Sequence, residues 1–278
     1  MPLSTRRTSS GMGADRGDHW LFIRGLARES SHWEGFAQAF KESTPGVAVH
    51  LIDLPGTGRH WKRKSPWSLE QITDAVRDDA RAQGVSVDAG RGCFALAMSL
   101  GAMVVVDWLC RFPNELAGAV LINTSAGDLC PFWKRLRPSA WLPLLKIVLT
   151  SEPRVREEMV LKLTTNLKEV DDALLVRREA VQRERPVSRE NLLRQIVAAS
   201  RFSMNGAMPT APILLLRSAC DRLVDPDCSL QLRQAWQAVL QTHPTANHDL
   251  PFDEPLWTIR EIHAWREALN GPRRSIPG

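Results

Sequence analysis

The chain alternates between short apolar segments and longer segments in which apolar residues recur every three or four positions. The short segments are rich in branched aliphatic residues and end at turn residues, which is typical of strands buried on both faces of a sheet. They lie at residues 19–26, 47–54, 92–98, 117–124 and 211–218. The longer segments predict helices at residues 31–42, 68–83, 100–112, 229–240 and 256–269. This alternation predicts an α/β fold, with a mostly parallel central sheet flanked by helices.

The alternation is interrupted once. Strand patterns are missing from residues 126–204, where helical patterns such as WLPLLKIVL and ENLLRQIVAAS follow one another. We therefore expect a core of residues 19–125 and 205–278, with a helical cap inserted at 126–204. Residues 1–18 are polar and predict a flexible N-terminal tail.

Composition limits the class of protein further. The chain has 278 residues, of which 44% are hydrophobic and 24% charged, as in a globular protein with a sizeable core. Its five cysteines lack CxxC spacing and its histidines are scattered, so no metal site is predicted. We find no apolar run long enough for a membrane span and no secretion signal, and the expectation is a cytoplasmic protein without a cofactor.

One serine interrupts the most hydrophobic run, FALAMSLGAMVVV. Ser99 stands where a predicted strand meets a predicted helix, with the small residues Ala97 and Gly101 on either side. A sharp strand-to-helix turn of this kind can hold a nucleophilic hydroxyl above a sheet, beside backbone N–H groups that bind an oxyanion. A serine at a helix start is also a common N-cap. The pattern alone fits both uses.

The order of later residues favours catalysis. A serine nucleophile needs a base, and the base needs a carboxylate that orients it. Asp221 follows the predicted strand 211–218, and His248 follows one further helix. Asp225 and Asp128 compete with Asp221 for the role of the acid.

Five segments resemble motifs of the α/β-hydrolase superfamily, in particular its esterase-like members. They are FIRGL, DLPGTG, AMSLG, SACDRLVDP and ANHDLPFDEP, in that order along the chain. The resemblance implies an α/β-hydrolase fold with about six strands and a helical cap. It also implies a serine hydrolase of a small-molecule ester or thioester, in which Ser99 is the nucleophile, His248 the base and Asp221 the acid. The backbone N–H groups of Leu26 and Leu100 are then expected to bind the oxyanion.

Three residues depart from the family pattern. Ala97 replaces a glycine of the serine motif, Arg24 replaces a histidine, and Asn247 replaces the glycine before the histidine. We expect Asn247 to preserve a left-handed backbone, which asparagine tolerates. Two other functions remain open: hydrolysis of a carbon–carbon bond by the same triad, and ligand binding without turnover.

Charge suggests which substrates the protein takes. Residues 126–204 contain 15 Lys and Arg against 10 Asp and Glu, so they carry the entire basic excess of the chain. Together with Arg24, this predicts an anionic substrate, although solvated helix faces explain the excess equally well. The excess is too modest and too mixed with acids to predict nucleic-acid binding. Trp133 and Trp141 are candidates for lining an acyl pocket.

Overall fold

The computed structural model describes residues 18–86 and 92–270. The predicted tail therefore lies outside the described residues, apart from Asp18. Within the described part of the chain there are six strands: β1 (His19–Ile23), β2 (Ala48–Ile52), β3 (Cys93–Met98), β4 (Gly118–Ile122), β5 (Ile213–Ser218) and β6 (Val239–His243). All six form one sheet in the order β2-β1-β3-β4-β5-β6, and every neighbouring pair is parallel.

Helices connect these strands. The described residues contain α1 (Glu34–Ser43), α2 (Leu69–Ala82), α3 (Leu100–Arg111), α4 (Phe132–Arg135), α5 (Pro138–Leu149), α6 (Pro153–Thr164), α7 (Asp172–Glu184), α8 (Arg189–Arg201), α9 (Asp227–Trp236), α10 (Leu250–Asp253) and α11 (Pro255–Asn270). Short 3₁₀ helices span Ser30–Trp33 and Gly58–His60. Parallel strands need such crossovers, and the predicted α/β arrangement with about six strands is confirmed.

The last predicted helix before the histidine was too long. Helix α9 ends at Trp236, because Gln237 adopts a left-handed backbone with φ of 51°. The residues that follow form β6 instead. β6 is an edge strand with mostly exposed side chains, so it lacks the continuous apolar run by which the other five strands were recognised.

The core lies on both faces of the sheet, as β1 illustrates. Trp20 and Phe22 point to one face, where they pack against side chains of α1 and α11. Leu21 and Ile23 point to the other face and join the side chains of α2 and α3. Because β1, β3, β4 and β5 pair in parallel, their carboxyl ends lie along one edge of the sheet, which is where ligands bind in such folds.

Residues 126–204 lie between β4 and β5 and contain α4 to α8 and no strand. We call these residues the helical insertion. A small apolar cluster of its own, Leu161, Leu174 and Leu175, joins α6 to α7. No helix among the described residues is both long and apolar enough to cross a membrane.

Candidate active site

Ser99 occupies the turn between β3 and α3 in an unusual backbone conformation, with φ of 53° and ψ of −123°. Its N–H donates to the carbonyl of Ile122 on β4 at 2.9 Å, and its own carbonyl accepts from Thr124 Oγ1 at 3.0 Å. The Ser99 hydroxyl makes no capping hydrogen bond to α3. A non-glycine residue held in such a conformation costs about 1–3 kcal/mol, so the turn exposes the hydroxyl at an energetic cost and does not use it as a side-chain cap.

Two glycines allow the loop after β1 to approach this turn. A Cβ on Gly101 would lie 2.4 Å from the carbonyl oxygen of Arg24, and one on Gly25 would lie 2.9 Å from Cβ of Ser99. This contact brings Leu26 to the cavity that Ser99 lines. Within residues 18–86 and 92–270, the backbone N–H groups of Leu26 and Leu100 have no acceptor. Both donors are therefore free to bind an oxygen of a ligand.

His248 lines the same cavity as Ser99, and its imidazole contacts the carboxylate of Asp221. Its Nδ1 lies 2.8 Å from Asp221 Oδ2, and both side chains are buried. The other oxygen of Asp221 accepts the N–H groups of Leu223 at 2.7 Å and Val224 at 2.9 Å. Because a carboxylate accepts, this arrangement favours the tautomer with hydrogen on Nδ1 and leaves Nε2 able to take a proton.

The two competing acids lie elsewhere. Asp128 accepts the N–H of Met204 at 3.3 Å, and Asp225 accepts the N–H of Asp227 at 3.0 Å. Of the three candidates, Asp221 is the one that contacts His248.

The side chain of Asn247 forms hydrogen bonds that hold the loop containing His248 in place. Its Oδ1 accepts the N–H groups of Arg222 at 2.9 Å and His248 at 2.8 Å. Its Nδ2 donates to the carbonyls of Leu163 at 3.0 Å and Thr165 at 3.1 Å, at the end of α6. The expectation of a left-handed backbone was wrong, because Asn247 is not among the described residues with positive φ. Its carboxamide, which glycine lacks, ties the acid loop, the histidine loop and the helical insertion together.

Arg24 lies in the cavity wall, but it is already paired. Its Nη1 and Nη2 donate to the two carboxylate oxygens of Asp249 at 3.0 and 2.5 Å, and its guanidinium lies 5.0 Å from the ring centre of Trp33. Burial raises the pKa of Asp249, but the charges of Arg24, Arg178 and Arg28 and the hydrogen bonds from Arg24 together outweigh burial, and the pKa of Asp249 is lowered. Because this bidentate pair occupies the Nη1–Nη2 edge of Arg24, that edge is not free to bind a substrate carboxylate.

The cavity above Ser99 has a volume of about 1070 Å³, counting its open mouth. Most of its wall is aliphatic and comes from the helical insertion, with Leu144, Ile147, Val148, Val160, Leu163 and Leu192 among the side chains. The wall also carries Arg28, Arg156 and Arg189, with Glu157 as a counterion. Arg28 is paired with Glu157 at 2.9 Å, whereas in the described chain no carboxylate forms an ion pair with Arg156 or Arg189.

Trp133 and Trp141 do not line this cavity. They are 52% and 44% exposed, and on the surface Trp141 stacks on Phe132 while Trp133 meets Phe132 edge to face. Their expected place in the acyl pocket was wrong, because residue type alone does not indicate the direction in which α4 and α5 face.

Asn123 was missed by the sequence analysis. Its Nδ2 donates to the His248 carbonyl at 2.8 Å and to Ser218 Oγ at 3.0 Å, while its Oδ1 accepts the N–H of Ser218 at 2.8 Å. Its position directly after a buried strand was the available signal, because polar residues at that sheet edge meet in the fold.

In the part of the chain that the structure describes, no three His, Cys, Asp or Glu side chains are grouped so that they could hold a metal ion. The site thus consists of a strained serine, a carboxylate-bound histidine, two free backbone N–H groups and an aliphatic cavity. Such an arrangement can attack a carbonyl carbon and stabilise the oxyanion that forms.

Comparisons with known proteins agree with this fold. A family model described as "Alpha/beta hydrolase family" matches residues 20–261. The esterase of Thermogutta terrifontis is 17% identical, with a TM-score of 0.70 over 92% of this chain and 91% of the esterase. The enol-lactonase of Burkholderia xenovorans is 17% identical, with a TM-score of 0.71 over 90% of this chain and 92% of the lactonase. A hydrolase of Pseudomonas aeruginosa is 18% identical, with 0.72 over 91% of each chain. No curated protein matches the sequence.

Proposed function

The chain belongs to the alpha/beta hydrolase family, and from that premise we propose that it is a serine hydrolase that cleaves a carboxylic ester or thioester through an acyl-enzyme on Ser99. One observation carries this proposal. Ser99 lies in a strained turn and lines the same cavity as His248, whose Nδ1 contacts the buried carboxylate of Asp221. An ester is cleaved by related proteins of this fold, among them the esterase of Thermogutta terrifontis.

The proposed reaction has two halves. In the first, Ser99 Oγ attacks the carbonyl carbon while His248 Nε2 takes its proton, and the N–H groups of Leu26 and Leu100 bind the oxyanion. The bond to the leaving group breaks, and the alcohol or thiol leaves with the proton from His248. In the second half, His248 takes a proton from water as the water oxygen attacks the acyl carbon, and it returns that proton to Ser99 Oγ as the acyl–oxygen bond breaks and the carboxylic acid is released. Asp221 stays ionised throughout and stabilises the charged imidazole.

Labelling with a fluorophosphonate probe tests this proposal. The wild type is expected to become labelled, and Ser99→Ala is expected to lose both the label and roughly a millionfold in turnover with its fold intact. Ser200→Ala, a change on the exposed part of α8, serves as the control and should label like the wild type. Equal labelling of Ser99→Ala would refute the nucleophile. Replacing Asp221 and Asp128 separately with Asn tests the acid, and a larger loss in Asp128→Asn would overturn Asp221.

The cavity wall also supports a substrate class: an aliphatic acyl group that carries an anion. Burial lowers the pKa of the Arg156 guanidinium, and the nearby charges of Arg28 and Arg189 lower it further. Glu157 raises the pKa of Arg156 by more than either arginine alone lowers it, but burial has the largest effect, and Glu157 is also bound to Arg28. A carboxylate or phosphate on the substrate would relieve this repulsion and bind Arg156 through charge-assisted hydrogen bonds.

A matched pair of esters tests the substrate class. The specificity constant for an ω-carboxylate ester is expected to exceed that for its neutral analogue, and Arg156→Gln should reduce this preference roughly tenfold or more. Arg201→Gln removes a cation of α8 that does not line the cavity, so it should leave the preference unchanged. If the wild type shows no preference for the carboxylate ester, or if Arg156→Gln leaves that preference unchanged, the proposal of an anionic substrate is wrong. The proposed serine mechanism would not be affected by either result.

A further inference from the structure

The surface of the helical insertion carries a group of exposed apolar side chains. We call it the outer patch, and it consists of Phe132, Trp133, Trp141, Leu142, Leu145 and Leu149. Phe132 stacks on Trp141 with ring centres 6.0 Å apart and meets Trp133 edge to face at 5.4 Å. Large apolar residues clustered on a surface mark an interaction site, because their exposure to water is unfavourable.

Helix α5 is apolar on two sides, and each side faces something different. Leu144, Ile147 and Val148 line the cavity above Ser99. Trp141, Leu142, Leu145 and Leu149 recur at helical spacing and are exposed. Packing inside the protein thus explains the first set of residues. In the second set, Trp141 stacks on Phe132, which also belongs to the patch, and the three leucines are exposed in the described chain.

The chain segment that carries the outer patch contains only basic charges, and acidic residues flank it at Asp128 and Glu152. The segment 129–151, which contains every residue of the patch, holds four basic residues and no acidic residue. Lys134 is paired with Asp227 at 2.7 Å, and Arg137 donates to the carbonyl of Asp221 at 2.8 Å. Lys146 lies on α5 itself, is exposed, and forms no ion pair with any described residue.

These features decide which partner fits. A twofold contact between two copies would set this segment against itself and bring like charges together. A membrane surface that contains anionic lipids instead offers hydrocarbon to the leucines, an interface that tryptophan favours, and phosphate to the lysine. We propose that the outer patch docks the protein on an anionic lipid surface.

The outer patch reaches the wall of the cavity at one end of α5. Arg189 is exposed and lines the cavity, and its Nη2 donates to the carbonyl of Leu149 at 3.2 Å. The end of the patch therefore touches a residue at the rim of the cavity. A substrate with an aliphatic chain could pass from the surface into the cavity without crossing bulk water.

Sedimentation with vesicles tests the proposal without any turnover. The full chain is mixed with vesicles of phosphatidylcholine alone, or of equal parts phosphatidylcholine and phosphatidylglycerol. We expect binding to the mixed vesicles and much weaker binding to the neutral ones. Lys146→Gln should weaken the binding about fivefold, and Leu145→Ser/Leu149→Ser about tenfold or more. The matched control is Leu256→Ser, which changes an exposed leucine at the start of α11 and should bind like the wild type.

Three results would overturn the proposal. The first is no binding, or equal binding to the two kinds of vesicle. The second is binding by Leu145→Ser/Leu149→Ser at the wild-type level; if that variant fails to fold, wild-type binding by Lys146→Gln decides in its place. The third is a dimer in light scattering that the leucine variant dissociates, since the patch would then be an interface between copies.

Discussion

Replacing Asn247 with alanine tests how far the histidine depends on the helical insertion. The substitution removes four hydrogen bonds: two that Asn247 accepts from the N–H groups of Arg222 and His248, and two that it donates to the carbonyls of Leu163 and Thr165. The side chain is fully buried, so water has no direct access to the groups that are left behind.

The magnitude follows from these contacts. Each hydrogen bond contributes about 1 kcal/mol net, so Asn247→Ala should lower the free energy of unfolding by about 4 kcal/mol. Activity should fall as well, because the His248 N–H loses its acceptor and the imidazole shifts relative to Ser99. A misplacement of about 1 Å can cost roughly 100-fold in rate. We expect the loss in kcat, with a smaller change in KM, since Asn247 does not line the cavity.

Urea denaturation and steady-state ester hydrolysis measure the two effects. Asn114→Ala is the control, because Asn114 is exposed in the turn after α3, and its free energy of unfolding should change by no more than about 0.5 kcal/mol. The reasoning fails if Asn247→Ala unfolds within about 1 kcal/mol of the wild type. It also fails if kcat is unchanged in a variant that is clearly destabilised, because the side chain would then support the fold and not the position of His248.

Three further changes test other parts of the site. Ser99→Gly should abolish turnover and yet raise the free energy of unfolding by about 1 kcal/mol, because glycine relieves the strained φ of 53°; a thermal melt below that of the wild type would contradict this. Gly101→Ala should lower the free energy of unfolding by about 3 kcal/mol or more, because its Cβ would lie 2.4 Å from a backbone oxygen. Gly35→Ala is its control: the added Cβ meets nothing within 4 Å and should raise the free energy of unfolding by about 1 kcal/mol in the same urea assay. Asp249→Asn should cost about 3–5 kcal/mol at neutral pH because it breaks a buried ion pair. The pKa of Asp249 is lowered in the folded protein, so its charge stabilises the fold above about pH 4, and this stabilisation is lost as the pH falls through the pKa in the folded state. The difference in the free energy of unfolding between Asp249→Asn and the wild type should therefore narrow only in acid.

The sequence predicts those parts of this molecule that depend on local patterns. Continuous apolar runs mark β1 to β5, and the small residues around Ser99 mark a tight turn, because few other side chains fit there. β6 was missed because an edge strand buries little and needs no apolar run. The order of Asp221 and His248 along the chain placed them at one sheet edge and favoured Asp221 over Asp128, and in the structure Asp221 is the one of the two that contacts His248.

Contacts between segments that lie far apart in the sequence were harder to predict than local structure. The pairing of Arg24 with Asp249 joins residues 225 positions apart, and no local pattern signals it. Asn247 was recognised as a departure from the family pattern, but its role depends on carbonyls more than 80 positions earlier in the chain. The orientation of Trp133 and Trp141 depends on how α4 and α5 pack, and both faces of α5 are apolar, so periodicity could not assign it.

The attachment of the histidine loop to α6 has a consequence for protein engineering. Insertions of this kind look like exchangeable modules, since they begin and end next to each other at the sheet. Here the carbonyls of Leu163, Thr164 and Thr165 anchor the Asn247 carboxamide and the Asp249 N–H. A chimera that receives the insertion of another hydrolase would therefore lose the contacts that support His248, the proposed general base. The graft would need a helix end in the same place, or the recipient would need glycine in place of Asn247.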